Sequence, residues 1–263
     1  MLDLRAAHRV TELAHARFED ESLPPELSTA AFKRFDSKVY SSAQIEWGRG
    51  AWEARVLDEY RSQVAFTDLL AGMTAAGCAF DLLGVGVRVV RDELRHVELC
   101  RRMINALGGG DVVFGNPALV NPSRRLSRLD RILDTTVGFL CIGETISMRL
   151  LAALRPYTSD PLAHAVLTTL TRDESLHSRF GFALLEALLP ALTAHQVTRI
   201  RRALPSSLKM AEALVRRSGE GEVETVNPFG SMSTKRRLEV FRQSVVKDIV
   251  PPLTAMGLYR ARR

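Results

Sequence analysis

The sequence predicts an all-α protein built around a four-helix bundle, with further helices on either side of it. Apolar residues recur at spacings of three and four through long stretches, and the alternating pattern typical of strands is almost absent. Two predicted helical hairpins are separated by GGGDVVFGNPALVNPSRR, a segment rich in Gly, Pro and Asn. A connection of that length can cross from one end of a bundle to the other.

The helix boundaries follow from this periodicity and from Pro and Gly near the helix ends. The bundle helices are predicted at 43–72, 77–106, 127–154 and 161–189, and the flanking helices at 3–19, 194–216 and 233–248. The polar segment SGEGEVETVNPFGS is expected to be a mobile loop, and the apolar part of the C-terminal VPPLTAMGLYRARR is expected to pack. We expect one domain over residues 1–263, with its core at 43–189, an N-terminal helical extension at 1–42 and C-terminal helices at 190–263.

Composition indicates the cellular compartment in which the protein is expected to function. The three cysteines, Cys78, Cys100 and Cys141, form no CxxC pair, which argues against a disulfide framework or a zinc knuckle and favours the reducing cytoplasm. The N-terminus lacks the apolar core of a signal peptide, and no run approaches the roughly 18 apolar residues that span a bilayer. We therefore expect no membrane association.

A net charge of +6 and a pI near 9.6 raise nucleic acid as a partner. The basic residues are dispersed along the chain as pairs, such as Arg201 and Arg202, instead of being clustered. Dispersed surface basicity is typical of a solvated face. We expect no nucleic-acid partner.

The pattern Arg-Asp-Glu-x-x-His occurs twice, at residues 91–96 and 172–177. Positions i and i+3 of a helix share a face, so Glu93 lies beside His96 and Glu174 lies beside His177. A third Glu-x-x-His, Glu12 with His15, lacks the Arg-Asp prefix and a matching partner, and we interpret it as coincidence.

Each repeated motif is preceded by another glutamate at nearly the same distance. Glu59 stands 34 residues before Glu93, and Glu144 stands 30 residues before Glu174. The midpoint of each pair falls at a predicted turn, so antiparallel packing brings the members of a pair to the same height. The spacing predicts one layer of four glutamates and two histidines.

The helical faces indicate that this layer is buried. Glu59 shares its face with Trp52, Val56 and Phe66, whereas Asp58 shares a more polar face, which favours Glu59 as the site residue. Four carboxylates buried together would repel one another unless they took up protons or bound cations. Carboxylate oxygens with one imidazole per metal suit iron or manganese better than zinc.

This set of residues resembles the ferritin-like di-iron carboxylate superfamily, in which two helices supply one Glu each and two others supply Glu-x-x-His. The resemblance covers about residues 43–189 and implies two iron ions, with a mixed manganese–iron centre left open. One iron would be held by Glu59, Glu93 and His96, and the other by Glu144, Glu174 and His177. Glu93 and Glu174 would bridge the two ions.

The stretch DELRHVELC is similar to the second-helix motif of bacterial multicomponent monooxygenase hydroxylases. That similarity implies that the Asp before each bridging Glu orients the histidine of the opposite half of the site. Asp92 would then support His177, and Asp173 would support His96. Cys100 would line the pocket.

Other subfamilies are matched less well. Cys100 stands where ribonucleotide reductase small subunits carry their radical tyrosine, and Leu170 stands where arylamine N-oxygenases carry an additional His. Met148 replaces the monooxygenase Thr, which leaves the hydroxyl of Ser147 one position earlier. The Cys-rich iron domain of rubrerythrins is absent.

The resemblance implies an O₂-activating oxidase or oxygenase that acts on a small organic substrate. The helical faces place Phe66, Val90, Leu140, Cys141 and Met148 around that substrate, together with Cys100. No flavin, iron–sulfur or nicotinamide motif is evident, so electrons would come from an external donor. A ferroxidase, a rubrerythrin-like peroxide scavenger and a metal-free helical interaction protein are the alternatives, and the oligomeric state, a homodimer included, is left open.

Overall fold

The computed structural model describes residues 23–110, 112, 114, 126–217 and 227–259, and those residues contain helices and no strand. The helices are α1 (Thr29–Lys33), α2 (Ser42–Ala75), α3 (Phe80–Ala106), α4 (Arg128–Thr135), α5 (Thr145–Leu154), α6 (Pro161–Leu188), α7 (Ala194–Arg217), α8 (Thr234–Ser244) and α9 (Val250–Ala255). The all-α prediction is confirmed, and the ends of the four bundle helices agree with the predicted ends to within three residues.

Side-chain caps fix where the bundle helices begin. Ser41 and Gln44 form a capping box at the start of α2, and Ser127 accepts a hydrogen bond from the backbone N–H of Asp130 in α4. Asp160 caps α6 and also accepts a hydrogen bond of 2.8 Å from the Tyr40 hydroxyl. Burial and this bond raise the pKa of Tyr40 to about 12. The segment before α2 is thereby tied to the start of α6.

The third bundle helix is continuous but not uniform, because a π-helical segment, Thr136–Glu144, joins α4 to α5. A π-helix widens each turn by one residue and therefore rotates the side chains that follow it. Glu144 is the last residue of this segment. The sequence pattern predicted one regular helix here, so the π-helical turns are a feature that the structure adds.

The helices pack as two hairpins, α2 with α3 and the α4–α5 helix with α6, and α3 also contacts α6. The buried apolar side chains form two clusters. A larger one includes Trp52, Leu99 and Leu167 and extends to the C-terminal helices, and a smaller one includes Phe66 and Leu140. The helices that carry the predicted site residues contribute side chains to both clusters.

Residues 227–231 correct the expectation of a mobile loop. Phe229 is fully buried, its ring centre lies 4.7 Å from that of Tyr40, and its backbone N–H donates to the Asn227 side chain over 2.8 Å. Gly48, which has no side chain, faces the Phe229 ring and leaves room for it. The polar, Gly-rich composition of this segment therefore gave no indication that Phe229 would be buried.

Several predictions fall outside the described residues: the helix at 3–19 with Glu12 and His15, most of the segment between α3 and α4, residues 218–226 and the basic tail after Tyr259. In contrast, the C-terminal apolar residues pack as expected, since Leu253 and Leu258 are buried.

One stretch among the described residues, Arg128–Tyr157, is long and apolar enough to cross a membrane. The sequence had been predicted to contain no such stretch. The protein buries 56% of its most apolar window inside the bundle. A core helix surrounded by other helices has the same composition as a membrane span. Its apolar character is thus accounted for by the core.

The contact of α6 with the π-helical segment can be tested at Gly181. A methyl group added at Gly181 would lie 2.5 Å from Cβ of Leu140 and 2.9 Å from its carbonyl carbon, so the backbone of the π-helix would have to move. Gly181→Ala should lower the free energy of unfolding by about 1–3 kcal/mol. Chemical denaturation followed by circular dichroism measures this loss.

Gly84→Ala is the matched control, because Gly84 is also inside a helix and has nothing within 4 Å of an added methyl group. It should raise stability slightly, by about 0.5–1 kcal/mol, because alanine restricts the unfolded chain more than glycine does. Equal effects of the two substitutions would show that the close approach at Gly181 contributes nothing.

Candidate metal centre

Six acidic and histidine side chains from all four bundle helices converge at mid-height. Glu59 comes from α2, Glu93 and His96 from α3, Glu144 from the end of the π-helical segment, and Glu174 and His177 from α6. The most exposed of them, Glu59, is only 6% accessible to solvent. Asp58, the neighbour that the sequence reading set aside, is exposed and pairs with Arg61 at 2.7 Å.

The side chains form two overlapping groups, each with its potential ligand atoms within 4.8 Å of one another. One group contains Glu59, Glu93, His96 and Glu174, and the other contains Glu93, Glu144, Glu174 and His177. Glu93 and Glu174 belong to both. The structure thus brings together all six predicted residues, in the two halves and with the two shared carboxylates that the sequence reading expected.

Both histidines point the same ring nitrogen, Nδ1, at the carboxylates. Nδ1 of His177 lies 3.0 Å from Glu93, 3.2 Å from Glu144 and 3.3 Å from Glu174. Nδ1 of His96 lies 3.3 Å from Glu59, 3.9 Å from Glu93 and 3.8 Å from Glu174. Each imidazole can therefore offer Nδ1 as a ligand while its other nitrogen faces outward.

The outward nitrogens face the two predicted aspartates, each from the opposite half of the site. Nε2 of His96 lies 3.3 Å from Asp173, and Nε2 of His177 lies 3.5 Å from Asp92. Both aspartates are buried. An ionised carboxylate at Nε2 holds the proton on that nitrogen and leaves Nδ1 free for a cation.

Arg95 connects the two aspartates, and the sequence reading did not single it out. This arginine is buried, and one of its terminal nitrogens, Nη2, donates to Asp92 over 2.8 Å and to Asp173 over 2.5 Å. The second repeat has Leu176 at the equivalent position, so one guanidinium serves both halves. Arg95 belongs to the DELRHVELC motif and stands three residues after Asp92 on the same face of α3, but no role was predicted for it.

Hydrogen bonds and neighbouring positive charge keep the aspartates ionised, against the effect of burial. Burial alone raises the pKa of Asp92 and of Asp173. Hydrogen bonds to the histidines and the positive charge of Arg95 outweigh it, and both pKa values lie below the usual range. The imidazoles respond to the same neighbours: burial lowers the pKa of His96, but the hydrogen bond to Asp173 and the nearby Glu59 carboxylate raise it to about 9.

The shared glutamates show the opposite behaviour. Burial, followed by the charge of Glu144, raises the pKa of Glu93 to about 7 and raises that of Glu174 well above its usual range. Burial also raises the pKa of Glu144, but hydrogen bonds with Glu174 and His177 lower it more. The layer resists carrying four negative charges at once, and divalent cations relieve that repulsion as well as protons do.

Unpaired polar atoms point to the same conclusion. Both carboxylate oxygens of Glu93, Oε2 of Glu174 and Nδ1 of His96 are buried and form no hydrogen bond with any described residue. Buried polar atoms are almost always satisfied in folded proteins. These four atoms all face the interior of the cluster, where two cations would satisfy them, so the residues present fit a two-metal site.

Two serine hydroxyls flank the carboxylates on a partly exposed side. Ser62 donates to Glu144 over 3.5 Å, and Ser147 donates to Glu174 over 3.4 Å. Each serine stands three residues after a site glutamate, on α2 and α5. Ser147 was expected from the sequence to offer a hydroxyl here, whereas no role was predicted for Ser62.

The predicted pocket residues do not form one wall. Phe66 and Leu140 are fully buried in the smaller core cluster, and Val90 is half-buried against that cluster. Cys100 and Cys141 belong to the larger cluster. Met148 is half-buried. The ring centre of Phe66 lies 6.4 Å from that of His177. Burial raises the pKa of both Cys100 and Cys141, so neither is a thiolate. Their role as substrate contacts stays a prediction.

Two cavities among the described residues lie away from this cluster. One of about 210 Å³ is bounded by the segment before α2 and the start of α6, near Tyr40 and Asp160. The other, about 190 Å³, lies near Asp68 and Arg128 at the end of the bundle. Neither contains a predicted pocket residue.

Comparison with known proteins supports the fold. No family model matches the chain, and no curated protein matches its sequence. Among solved structures, the chain is similar to a protein from Synechococcus described as Protein 19 with aldehyde deformylating oxidase activity, at 18% identity and a TM-score of 0.54, over 82% of this chain and 92% of that one. The chain is therefore a helical bundle of the ferritin-like type.

Replacing Arg95 tests whether it links the two halves. Arg95→Met removes the cation shared by Asp92 and Asp173 and leaves two buried carboxylates without it. The free energy of unfolding of the metal-free protein should fall by about 3 kcal/mol or more. Chemical denaturation at neutral pH measures the change.

Arg88→Met serves as the control, because Arg88 approaches Asp92 at 3.5 Å from a half-exposed position. An ion pair with one exposed partner contributes about 0–1 kcal/mol. If Arg95→Met costs no more than Arg88→Met, Arg95 does not hold the two aspartates together.

Proposed function

We propose that this protein binds two iron ions between its bundle helices and uses O₂ to oxidise a small organic substrate. The observation that carries the proposal is the pair of overlapping ligand groups that share Glu93 and Glu174. Two carboxylates common to two groups are suited to bridge neighbouring cations. A single metal site would need only one of the groups.

The donor set favours iron. Each half offers one imidazole and several carboxylate oxygens, and no cysteine belongs to either group. Oxygen-rich ligation with one nitrogen per ion suits iron or manganese, whereas structural zinc sites favour cysteine and histidine. A mixed manganese–iron centre is the variant that this donor set also accommodates.

Each part of the site has a distinct task in this proposal. Glu59 and His96 would hold one ion and Glu144 and His177 the other, with Glu93 and Glu174 between them. When bound, two ferrous ions would supply the redox chemistry for O₂ activation. The Asp–Arg–Asp link holds both imidazoles in the tautomer that presents Nδ1.

The surroundings of the site favour an organic substrate over iron alone. Phe66 lies beside His177, and Phe139 and Leu140 belong to the same apolar cluster as Phe66, which excludes water from this side. The hydroxyls of Ser62 and Ser147 reach the carboxylates from the partly exposed side and can hold a proton there. The substrate would approach the apolar side while protons arrive from the polar side.

Two further expectations complete the proposal. Electrons would come from a separate donor protein, because the chain shows no motif for a flavin or a nicotinamide cofactor. Cys78, Cys100 and Cys141 are free thiols, which suits the reducing cytoplasm.

Metal counting tests the site. After anaerobic reconstitution with ferrous iron and removal of excess metal, the wild-type protein should retain about two iron ions per chain. Glu144→Ala and Glu59→Ala should each lose about one of them, because each variant deletes a carboxylate that belongs to one half only. Mass spectrometric iron quantitation gives the number.

Asp58→Ala is the matched control for Glu59→Ala, since it removes an exposed carboxylate from the adjacent position. It should bind iron as the wild type does. Fewer than about one iron per wild-type chain, or the same loss in Asp58→Ala as in Glu59→Ala, would refute the site.

A substrate panel separates oxygenase from scavenger. The activity named for the Synechococcus structure makes aldehydes one class to include, alongside amines and carboxylic acids. With ferrous protein and a chemical reductant, a true substrate should accelerate O₂ consumption about tenfold or more and yield an oxidised product. Oxygen uptake and mass spectrometry with ¹⁸O₂ detect both effects. If no compound accelerates uptake while hydrogen peroxide is consumed rapidly, the protein is a peroxide scavenger instead.

A further inference from the structure

A chain of alternating charges crosses from α3 to α6 behind the two histidines of the site. In order, its members are Arg88, Asp92, Arg95, Asp173 and Arg172. The side chains at its ends, Arg88 and Arg172, are 50% and 64% accessible to solvent, whereas the three inner members are buried. The chain therefore links the buried supports of the histidines to the protein surface.

One carboxylate separates each histidine from a surface arginine. Asp173 lies 3.3 Å from Nε2 of His96 and 3.1 Å from Nε of Arg172. The other half of the site repeats this arrangement through Asp92, with 3.5 Å on both sides of the carboxylate. The histidines thus come close to solvent between α3 and α6, through a short series of direct side-chain contacts.

Two further exposed arginines flank the chain. Arg91 lies between Arg88 and Arg95 on one face of α3, at helical spacings of three and four. Arg179 stands seven residues after Arg172, on the same face of α6. Neither Arg91 nor Arg179 forms an ion pair with a described residue. The five arginines and two aspartates leave an excess of three positive charges here. We call the four exposed arginines the arginine seam: Arg88, Arg91, Arg172 and Arg179.

The electrons required by the proposed function, on which this inference rests, have to come from a separate protein. Electron transfer slows steeply with distance, so the donor has to dock where the metal ligands approach the surface. Ser62 and Ser147 occupy the side of the site formed by α2 and α5, whereas the arginine seam lies on the other two helices. A positive surface selects a negatively charged partner and steers its approach.

We infer that the arginine seam is the docking surface for an acidic one-electron carrier protein of the iron–sulfur class. Each reduced carrier would give up one electron and convert one ferric ion of the site to the ferrous state, so two carriers are oxidised for each di-iron site that is reduced. Redox partners form small, transient interfaces, below about 1,200 Å². The expected Kd at low salt is therefore on the order of 10 μM.

Binding to the metal-free protein tests this surface independently of iron. Biolayer interferometry with an acidic plant-type 2Fe–2S ferredoxin should show saturable binding that weakens about tenfold or more between roughly 20 and 200 mM salt, because salt screens the charges. Arg91→Glu combined with Arg179→Glu should raise the Kd about tenfold or more. Cytochrome c, a basic one-electron carrier, should not bind.

Arg202→Glu combined with Lys209→Glu is the matched control. Both residues are exposed on α7, seven residues apart, and the pair changes the net charge by the same amount as the seam variant. This control should bind ferredoxin as the wild type does, and circular dichroism confirms that each variant is folded. Equal weakening in the two double variants overturns the inference, because overall charge would then attract the carrier. An absence of saturable binding to the wild type also overturns it.

Reduction of the iron-loaded protein tests whether electrons enter at the seam. Stopped-flow absorbance compares reduction by ferredoxin with reduction by dithionite, a small molecule that needs no docking surface. The seam variant should slow the ferredoxin reaction about tenfold relative to the dithionite reaction. An unchanged ratio of the two rates overturns the seam as the point of electron entry. A protein that binds ferredoxin at the seam but retains no iron would refute the proposed function and leave the docking surface standing.

Discussion

Glu59, Glu93, Glu144 and Glu174 face one another in a layer that water does not reach, and their mutual repulsion must be balanced for the bundle to fold. Two unit charges 4 Å apart interact by about 4 kcal/mol at the effective dielectric constant typical of protein sites. Four such charges would cost more than a domain of this size gains in net stability. Protons on the shared glutamates, or two divalent cations, remove most of that cost.

The same repulsion explains why charged side chains hold the two histidines in place. The two imidazoles must keep their proton on the outer nitrogen if Nδ1 is to bind a cation, and the ionised Asp92 and Asp173 ensure this. Two more buried carboxylates would add to the repulsion without a positive charge between them. Arg95 supplies it for both, and thereby makes the positions of His96 and His177 depend on one side chain.

Apolar periodicity was sufficient to predict the bundle helices, and the repeated motif was sufficient to predict that the six acidic and histidine residues converge. Helical spacing determines which residues share a face, and the pairing of hairpins determines their height, so both follow from residue numbers. The apolar faces of the helices could not define a substrate pocket in the same way. Pocket walls depend on how side chains from different helices interlock, and Cys100 and Leu140 turned out to belong to separate core clusters.

Other features arise from contacts that no local pattern records. The π-helical turns at Thr136–Glu144 lie against Gly181 of another helix, and their sequence reads as ordinary apolar helix. Phe229 packs against α2 because Gly48, far away in the chain, leaves space for its ring. Arg95 lies in a motif that was recognised, yet its second partner, Asp173, is 78 residues distant. Such residues act through tertiary contacts, and the repeat could not reveal them.

The two faces of helix α3 are chemically separate. Glu93 and His96 point into the cluster, whereas Val87 and Leu94 are exposed on the outside, although Leu94 is adjacent to Glu93 in sequence. A period of 3.6 residues per turn sends adjacent residues about 100° apart, so one can be a ligand and the next a surface contact. The buried and the exposed faces of α3 can accordingly differ in composition, because each is made of its own set of positions on one helix.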